Sequence, residues 1–268
     1  MTMDTPTDTA ADPISGAALF YSKPEPLNAQ AHGKLGLRRI DRPFAFAANS
    51  QAVPLTVSEF LMASLSFPVI FAGERRQPLA IMGILSETNM FIRENGYFEP
   101  GIYVPGYIRR YPFVLAANET RDQLVVCIDG GAAMLGDLPD LPFFEPNGEA
   151  SEYTKGCIQF CNDYEVEVRR TESFVELLTS LDLFETRRTT FRPMLPDGTQ
   201  GVEQTLAEFF AVSEEKLKAL PDAKLRELMD NGALRQIYAH LNSISQFDNL
   251  VSLALSRQGA PAAVGRLN

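Results

Sequence analysis

The chain carries two histidines, three cysteines and no tryptophan in 268 residues. Scarce histidine removes whole reaction classes. Neither His32 nor His240 stands in His-x-x-x-His, His-x-Asp or Cys-x-x-Cys-His spacing, so zinc-hydrolase and haem signatures are missing. A two-histidine iron site would need both, plus an acid, converging from opposite ends of the chain. With only two histidines a serine or cysteine triad is nearly excluded, and no Gly-x-Ser-x-Gly elbow occurs. Gly130-Gly131 follows an apolar stretch but lacks the Gly-x-Gly-x-x-Gly spacing and the Gly-Lys-Ser/Thr ending of phosphate cradles, so it reads as a turn. Paired carboxylates stay open, because acids are plentiful. Neither a metal nor a cofactor is expected.

Long apolar runs are missing as well. The most apolar windows, 67–72 and 79–85, have strand length, far short of the roughly 18 residues a membrane helix requires. Basic residues are outnumbered: the formal charge of -10 opposes a phosphate-tracking surface, so nucleic acid is not an expected partner. The N-terminus has acids and threonines where a secretory signal needs a basic start and an apolar run. Residues 1–18 read as a disordered tail. An odd number of cysteines without a signal fits reduced thiols, and the expected location is the cytoplasm.

What remains is an ordinary globular composition, 45% apolar and 22% charged. Thr56 or Ser58 caps a short helix carrying Phe60, Leu61, Ala63 and Leu65. Val69–Ala72 and the run from Leu79 flank a polar turn and predict a hairpin. Asn89–Ile92, Phe113–Ala116 and Gln123–Asp129 are further strand candidates. Residues 19–40 are broken by prolines and glycines and predict extended pieces and turns rather than helix. A Pro- and Gly-rich loop over 136–148 precedes a helix over 152–181, where Tyr153, Cys157, Cys161, Tyr164, Thr171, Val175 and Leu178 recur at helical spacing. A hairpin near 189–210, turning at Pro196-Asp-Gly198, follows. Ser213 caps the next helix, another starts after Pro221, and Gly232 opens a last helix reaching Val251. The fold class is α+β, a β-rich N-terminal half with antiparallel hairpins packed against a helical C-terminal half. The expected organisation is one domain over 19–268, divided at about 150.

Cys157 and Cys161 sit one turn apart on the buried stripe, which makes them core residues; a three-thiolate corner with Cys127 is the sharper alternative. His240 reads as a helix-surface or half-buried residue. One segment stands out, Tyr103-Val-Pro-Gly-Tyr-Ile-Arg-Arg-Tyr-Pro-Phe113. As a helical turn or two it would place Tyr103, Tyr107 and Tyr111 on one side, with Arg109 and Arg110 emerging beside them. Phenols with guanidinium grip anionic or aromatic ligands. The competing reading buries the tyrosines and pairs one arginine with an acid such as Asp129.

Pro26-Leu-Asn-x-x-x-His32, Phe44-Ala-Phe-Ala, Phe67-Pro-Val-Ile-Phe, Tyr107-Ile-Arg-Arg-Tyr-Pro-Phe113, Asp129 at a strand end, Val212-Ser-Glu-Glu-Lys-Leu and Gly232-Ala-Leu-x-x-Ile-Tyr-Ala-His-Leu-x-Ser243 together resemble the bacterial SapC family. The resemblance implies a link to surface-layer proteins, and a neighbourhood of outer-membrane receptor and halogenase-like genes, hence nutrient uptake or envelope physiology. It brings no catalytic residue or cofactor. The expectation is a non-catalytic cytoplasmic binding or accessory protein, with an unidentified small molecule or protein as partner. Tyr103, Tyr107, Arg109, Arg110 and Tyr111 are its candidate ligand residues, and His32, His240 and Asp129 further ones. One alternative is an enzyme with an acid/Arg site between the halves; another is a self-assembling surface-layer protein.

Overall fold

A computed structural model describes residues 19–84, 87–117, 124–191 and 201–257 of the chain. The tail over 1–18, the Pro196–Gly198 turn and the C-terminal end lie outside them. In chain order the first elements are β1 (Pro24–Pro26), α1 (Ala29–His32), β2 (Gly36–Leu37), β3 (Ala52–Pro54), α2 (Phe60–Ala63), β4 (Val69–Ala72) and β5 (Gln77–Ile81). Then come α3 (Gly106–Arg109), β6 (Phe113–Ala117), β7 (Leu124–Asp129), β8 (Leu135–Gly136), β9 (Leu141–Pro142) and α4 (Glu152–Ser180). The chain continues through β10 (Phe184–Phe191), β11 (Gln204–Val212), α5 (Glu214–Lys218), α6 (Asp222–Asp230), α7 (Ala233–Ser243) and α8 (Gln246–Arg257). With 39% helix, 22% strand and, among the described residues, only antiparallel pairing, the fold class is α+β.

The chain divides into two compact units that interleave along the sequence. Of the described residues, unit 1 combines those within 19–43 and 110–165, and unit 2 those within 44–109 and 166–257. The boundaries between them fall at 43/44, 109/110 and 165/166.

Unit 1 has two three-stranded sheets, β1-β7-β6 and β8-β2-β9. Residues alternate faces along β7. Ile128 joins a core of Phe113, Phe143 and Cys161, while its neighbour Cys127 joins Tyr21 and Val114 in a second cluster. Asn28 caps α1 by accepting from Ala31 N (2.8 Å), which turns an expected coil into one turn of helix.

Unit 2 is built on a five-stranded sheet, β10-β11-β4-β5-β3. The expected hairpin is β4–β5, with Val69 opposite Ala80 and Ala72 opposite Gln77. Asn89–Ile92 forms no strand; Ile92 makes an isolated bridge with Phe98. Phe71 carries the core, with ring contacts to Phe60, Phe184 and His240 at 6.1, 5.0 and 5.0 Å. A capping box opens the 3-10 turn over Val57–Glu59 that leads into α2: Thr56 N donates to Glu59 (2.9 Å). Phe60 and Ala63 are buried, but Leu61 and Leu65 point to water.

Two expectations about the C-terminal helices change. Ser213 does not cap α5, because its hydroxyl bonds Glu185 and helps hold that carboxyl below its ordinary range. The last helix is two. Ser243 donates its hydroxyl to the His240 carbonyl (2.6 Å), and Ile244 N shifts to Leu241 O (3.4 Å), so the helical ladder breaks between α7 and α8. The stop before α7 stands where expected, with Gly232 at a φ of +79° that a side chain disfavours.

Candidate functional site

The Tyr103–Phe113 segment is not one helical face. Only Gly106–Arg109 is helical, with Ile108 N and Arg109 N bonded back to Pro105 O; Phe113 N then bonds Arg110 O in a turn. Tyr103 and Tyr111 fall outside α3, and the boundary between the units passes between Arg109 and Arg110. Proline at both ends limits the helix to this single turn. Each unit receives one tyrosine–arginine pair, with Tyr107 buried in unit 2.

In unit 1, Tyr111 donates to Asp129 Oδ2 (2.8 Å). The partner of Asp129 is thus a phenol and not the arginine expected from sequence. Asp129 Oδ1 accepts from Ser22 N (3.2 Å), Ser22 Oγ (3.0 Å), Lys23 N (2.7 Å) and Gly131 N (3.2 Å). Burial works against this charge, but the bonds from Lys23, Tyr111, Ser22 and Gly131 outweigh it and hold the carboxyl below its ordinary range. A Cβ at Gly131 would clash with Ser22 Oγ, so glycine lets this hydroxyl reach Asp129 undisturbed. Burial and Asp129 push the Tyr111 phenol well above its usual value. Arg110 is half-buried between two rings, 4.7 Å from the Tyr164 centroid and 5.9 Å from Tyr21.

His32, also in unit 1, is 3% exposed. Its Nε2 lies 3.1 Å from Glu25 Oε1 and its Nδ1 3.1 Å from Asn28 O. Lys23 meets the other Glu25 oxygen at 3.0 Å, and this bond, with that from His32, lowers the Glu25 pKa. The arrangement joins β1 to α1.

His240 corrects the surface reading: it is 0% exposed. Val212 N donates to Nε2 (3.1 Å), which leaves the ring proton on Nδ1, donated to Val69 O (2.7 Å). Ser243 Oγ accepts from Val69 N (2.9 Å). Side chains of α7 thus satisfy β4 and β11 backbone where those strands pair only at Phe71 and Phe210. Burial drives the His240 pKa down to about 4, so the ring is neutral at pH 7.

The cysteines do not converge. Cys157 and Cys161 belong to one cluster and Cys127 to the other, on opposite faces of β7. Burial raises all three thiols, Cys161 to about 11. Among the described residues, no group of three or more His, Cys, Asp or Glu side chains is placed to hold a metal ion.

Unit 2 presents the other half of the segment differently. Glu59, 7% exposed, accepts from Thr56 N (2.9 Å) and Thr56 Oγ1 (2.8 Å) on Oε2, and from Gly106 N (2.6 Å) and the Tyr103 hydroxyl (2.9 Å) on Oε1. The Tyr103 oxygen in turn accepts from Arg109 Nη2 (3.3 Å), while Arg109 Nε donates to Val104 O (3.0 Å). Burial and the Glu59 charge push the Tyr103 phenol up to about 12, so it stays a donor at neutral pH. A relay from a buried carboxylate through a fixed phenol therefore orients an exposed guanidinium. Beside it lies a shallow groove of about 430 Å³, lined by Met62, Leu65, Ile102, Tyr103, Val104 and Arg109 among others. Glu59 escaped the sequence reading as a site residue, although Thr56-x-x-Glu59 is a legible capping box.

The SapC family matches residues 27–250. The chain belongs to the SapC family. No curated protein and no solved structure matches it. Among the described residues of this SapC protein, no helix is long and apolar enough to cross a membrane.

Proposed function

We propose that this SapC protein is a non-catalytic cytoplasmic binding or accessory protein, and that its recognition surface is the unit 2 groove around Tyr103 and Arg109. The observation that carries the reading is the relay from Glu59 through Tyr103 to Arg109. It holds an exposed cation in a fixed place beside apolar surface, as a recognition site requires. The groups best suited to proton transfer are engaged elsewhere: His240 uses both ring nitrogens on backbone, and Asp129 accepts five hydrogen bonds. Arg110, Tyr111 and Tyr107 act in this reading as supports, and His32 as a staple of unit 1. Three free cysteines divided between two separate clusters support a reducing compartment. From there an accessory role in nutrient uptake or envelope physiology is open to the protein.

Native mass spectrometry of the protein purified from its own cells tests this. The expected result is a stoichiometric small molecule or protein partner, recovered from the cytosolic fraction. A retained flavin, nucleotide or metal would overturn the non-catalytic reading, and recovery outside the cytoplasm would overturn the location.

A further inference from the structure

We infer that the unit 2 groove takes a small amphipathic monoanion, a carboxylate carrying an apolar body, with the carboxylate on Arg109 and the body along Met62 and Leu65. This rests on the reading above that the groove is the recognition surface, and it names the ligand class. Three observations converge on it.

The apolar surface comes first. In the α2 region Phe60 and Ala63 are 0% exposed, whereas Met62 and Leu65 are 51% and 69% exposed, three residues apart and so on one side of the turn. The core does not need them. Ile102 and Val104 extend the same lining, and an unbranched methionine adapts to the shape of an apolar guest.

The charge comes second. Arg109 is exposed, yet its guanidinium is tied by Nε to Val104 O and by Nη2 to Tyr103, whose ring centroid lies 5.9 Å away. Tyr103 is anchored on Glu59, itself held by Thr56 and Gly106. Ordering entropy that an anion would otherwise cost is therefore spent in folding. Guanidinium matches a carboxylate in shape and charge. The groove lining contains this arginine and no lysine, which fits one negative charge.

Size and net charge come third. A groove of about 430 Å³ has room for a small molecule rather than for a folded partner's domain. A chain of formal charge -10 repels polyanions and anionic bilayers more strongly than a single monoanion, which can meet the exposed Arg109 directly. The occupant is therefore a free amphiphile rather than a membrane surface.

Titration calorimetry of the full chain with sodium octanoate, against 1-octanol and acetate, tests the proposal. Octanoate should bind at one site, with octanol and acetate each at least about tenfold weaker. Arg109→Gln and, independently, Leu65→Asp should each weaken octanoate about tenfold without changing the circular dichroism melt; Leu65 is exposed enough that the second variant folds if the first does not. Equal binding of octanol, or octanoate binding kept in Arg109→Gln but lost in Leu65→Asp, overturns the carboxylate class and leaves the groove standing. Octanoate binding untouched by both variants overturns groove and ligand class together. Absence of octanoate binding overturns the ligand class, and native mass spectrometry then decides separately whether the binding-protein reading survives. Co-sedimentation with phosphatidylglycerol vesicles in place of octanoate binding overturns it in favour of a membrane surface.

Discussion

Asp129 in unit 1 and Glu59 in unit 2 are built alike and end differently. Each is a buried carboxylate that accepts backbone and hydroxyl hydrogen bonds, and each receives a phenol from the same eleven-residue segment, Tyr111 on Asp129 and Tyr103 on Glu59. Beside each phenol stands an arginine. Arg110 is half-buried between the rings of Tyr21 and Tyr164, so the unit 1 set closes on itself. Arg109 is exposed and linked to the carboxylate through Tyr103, so the unit 2 set reaches the surface. The lesson is that residue type decides little; where the guanidinium ends up decides whether the set stabilises a fold or presents a charge.

The strongest way to break this comparison is to remove the closed hub. Asp129→Ala leaves Ser22 N, Lys23 N, Gly131 N and the Tyr111 hydroxyl without their acceptor and should cost roughly 3–5 kcal/mol in urea unfolding followed by circular dichroism. Near-wild-type stability would show that these bonds are replaced by water and that the hub is not closed.

Acid sharpens the contrast next. The His240 ring titrates near its ordinary 6.5 in the unfolded chain but only at about 4 in the fold. As pH falls through that window the unfolded chain takes up a proton that the folded one refuses, so stability drops by up to about 3 kcal/mol. The Asp129 contribution has the opposite origin: its folded pKa lies below the ordinary 3.8, so it is intact above that value and is lost only as pH falls through the lower folded one. His240→Gln should therefore flatten the stability profile between pH 6.5 and 4 and leave the steeper acid limb in place. A profile of unchanged slope in that variant would place the titrating group elsewhere.

Glu59→Gln is smaller. An amide still serves the capping box, but its NH2 group faces the donors of Tyr103 and Gly106, at an expected cost of about 2 kcal/mol. The smallest effect separates the two arginines. Arg110→Gln should lose about 1 kcal/mol from its ring contacts, and Arg109→Gln should stay within about 0.5 kcal/mol of wild type. The reverse ranking would exchange the roles assigned to them.

Much of this was legible where the cause is local. Thr56 with Glu59 three residues on, the apolar runs of β4 and β5, the helical period of α4 and the Gly232 stop are each specified within a few residues, and the structure has them in place. Long-range causes were not. Nothing beside His240 in the sequence signals that Val69 and Val212 will consume both its nitrogens, and nothing beside Ser243 signals that its hydroxyl will take a carbonyl from the helix and divide it. The site was half legible for the same reason: the Tyr/Arg segment is visible as a composition, but its division between two units depends on strands far away in sequence. Membership of SapC, by contrast, is carried by strings spread over the chain and was readable from them.

The interleaving of the units also bears on how the protein is made. Strand β1 pairs with β7, and β4 with β11, so both partnerships wait for chain synthesised much later. Neither unit is a single continuous stretch of chain. A nascent chain stalled after β5 exposes one edge of β4 until β11 has emerged, and such an open edge is a template for the wrong partner. Translation through Val212 is therefore the point at which the larger sheet can first close, and any truncation short of it should accumulate as aggregate rather than as a smaller folded protein.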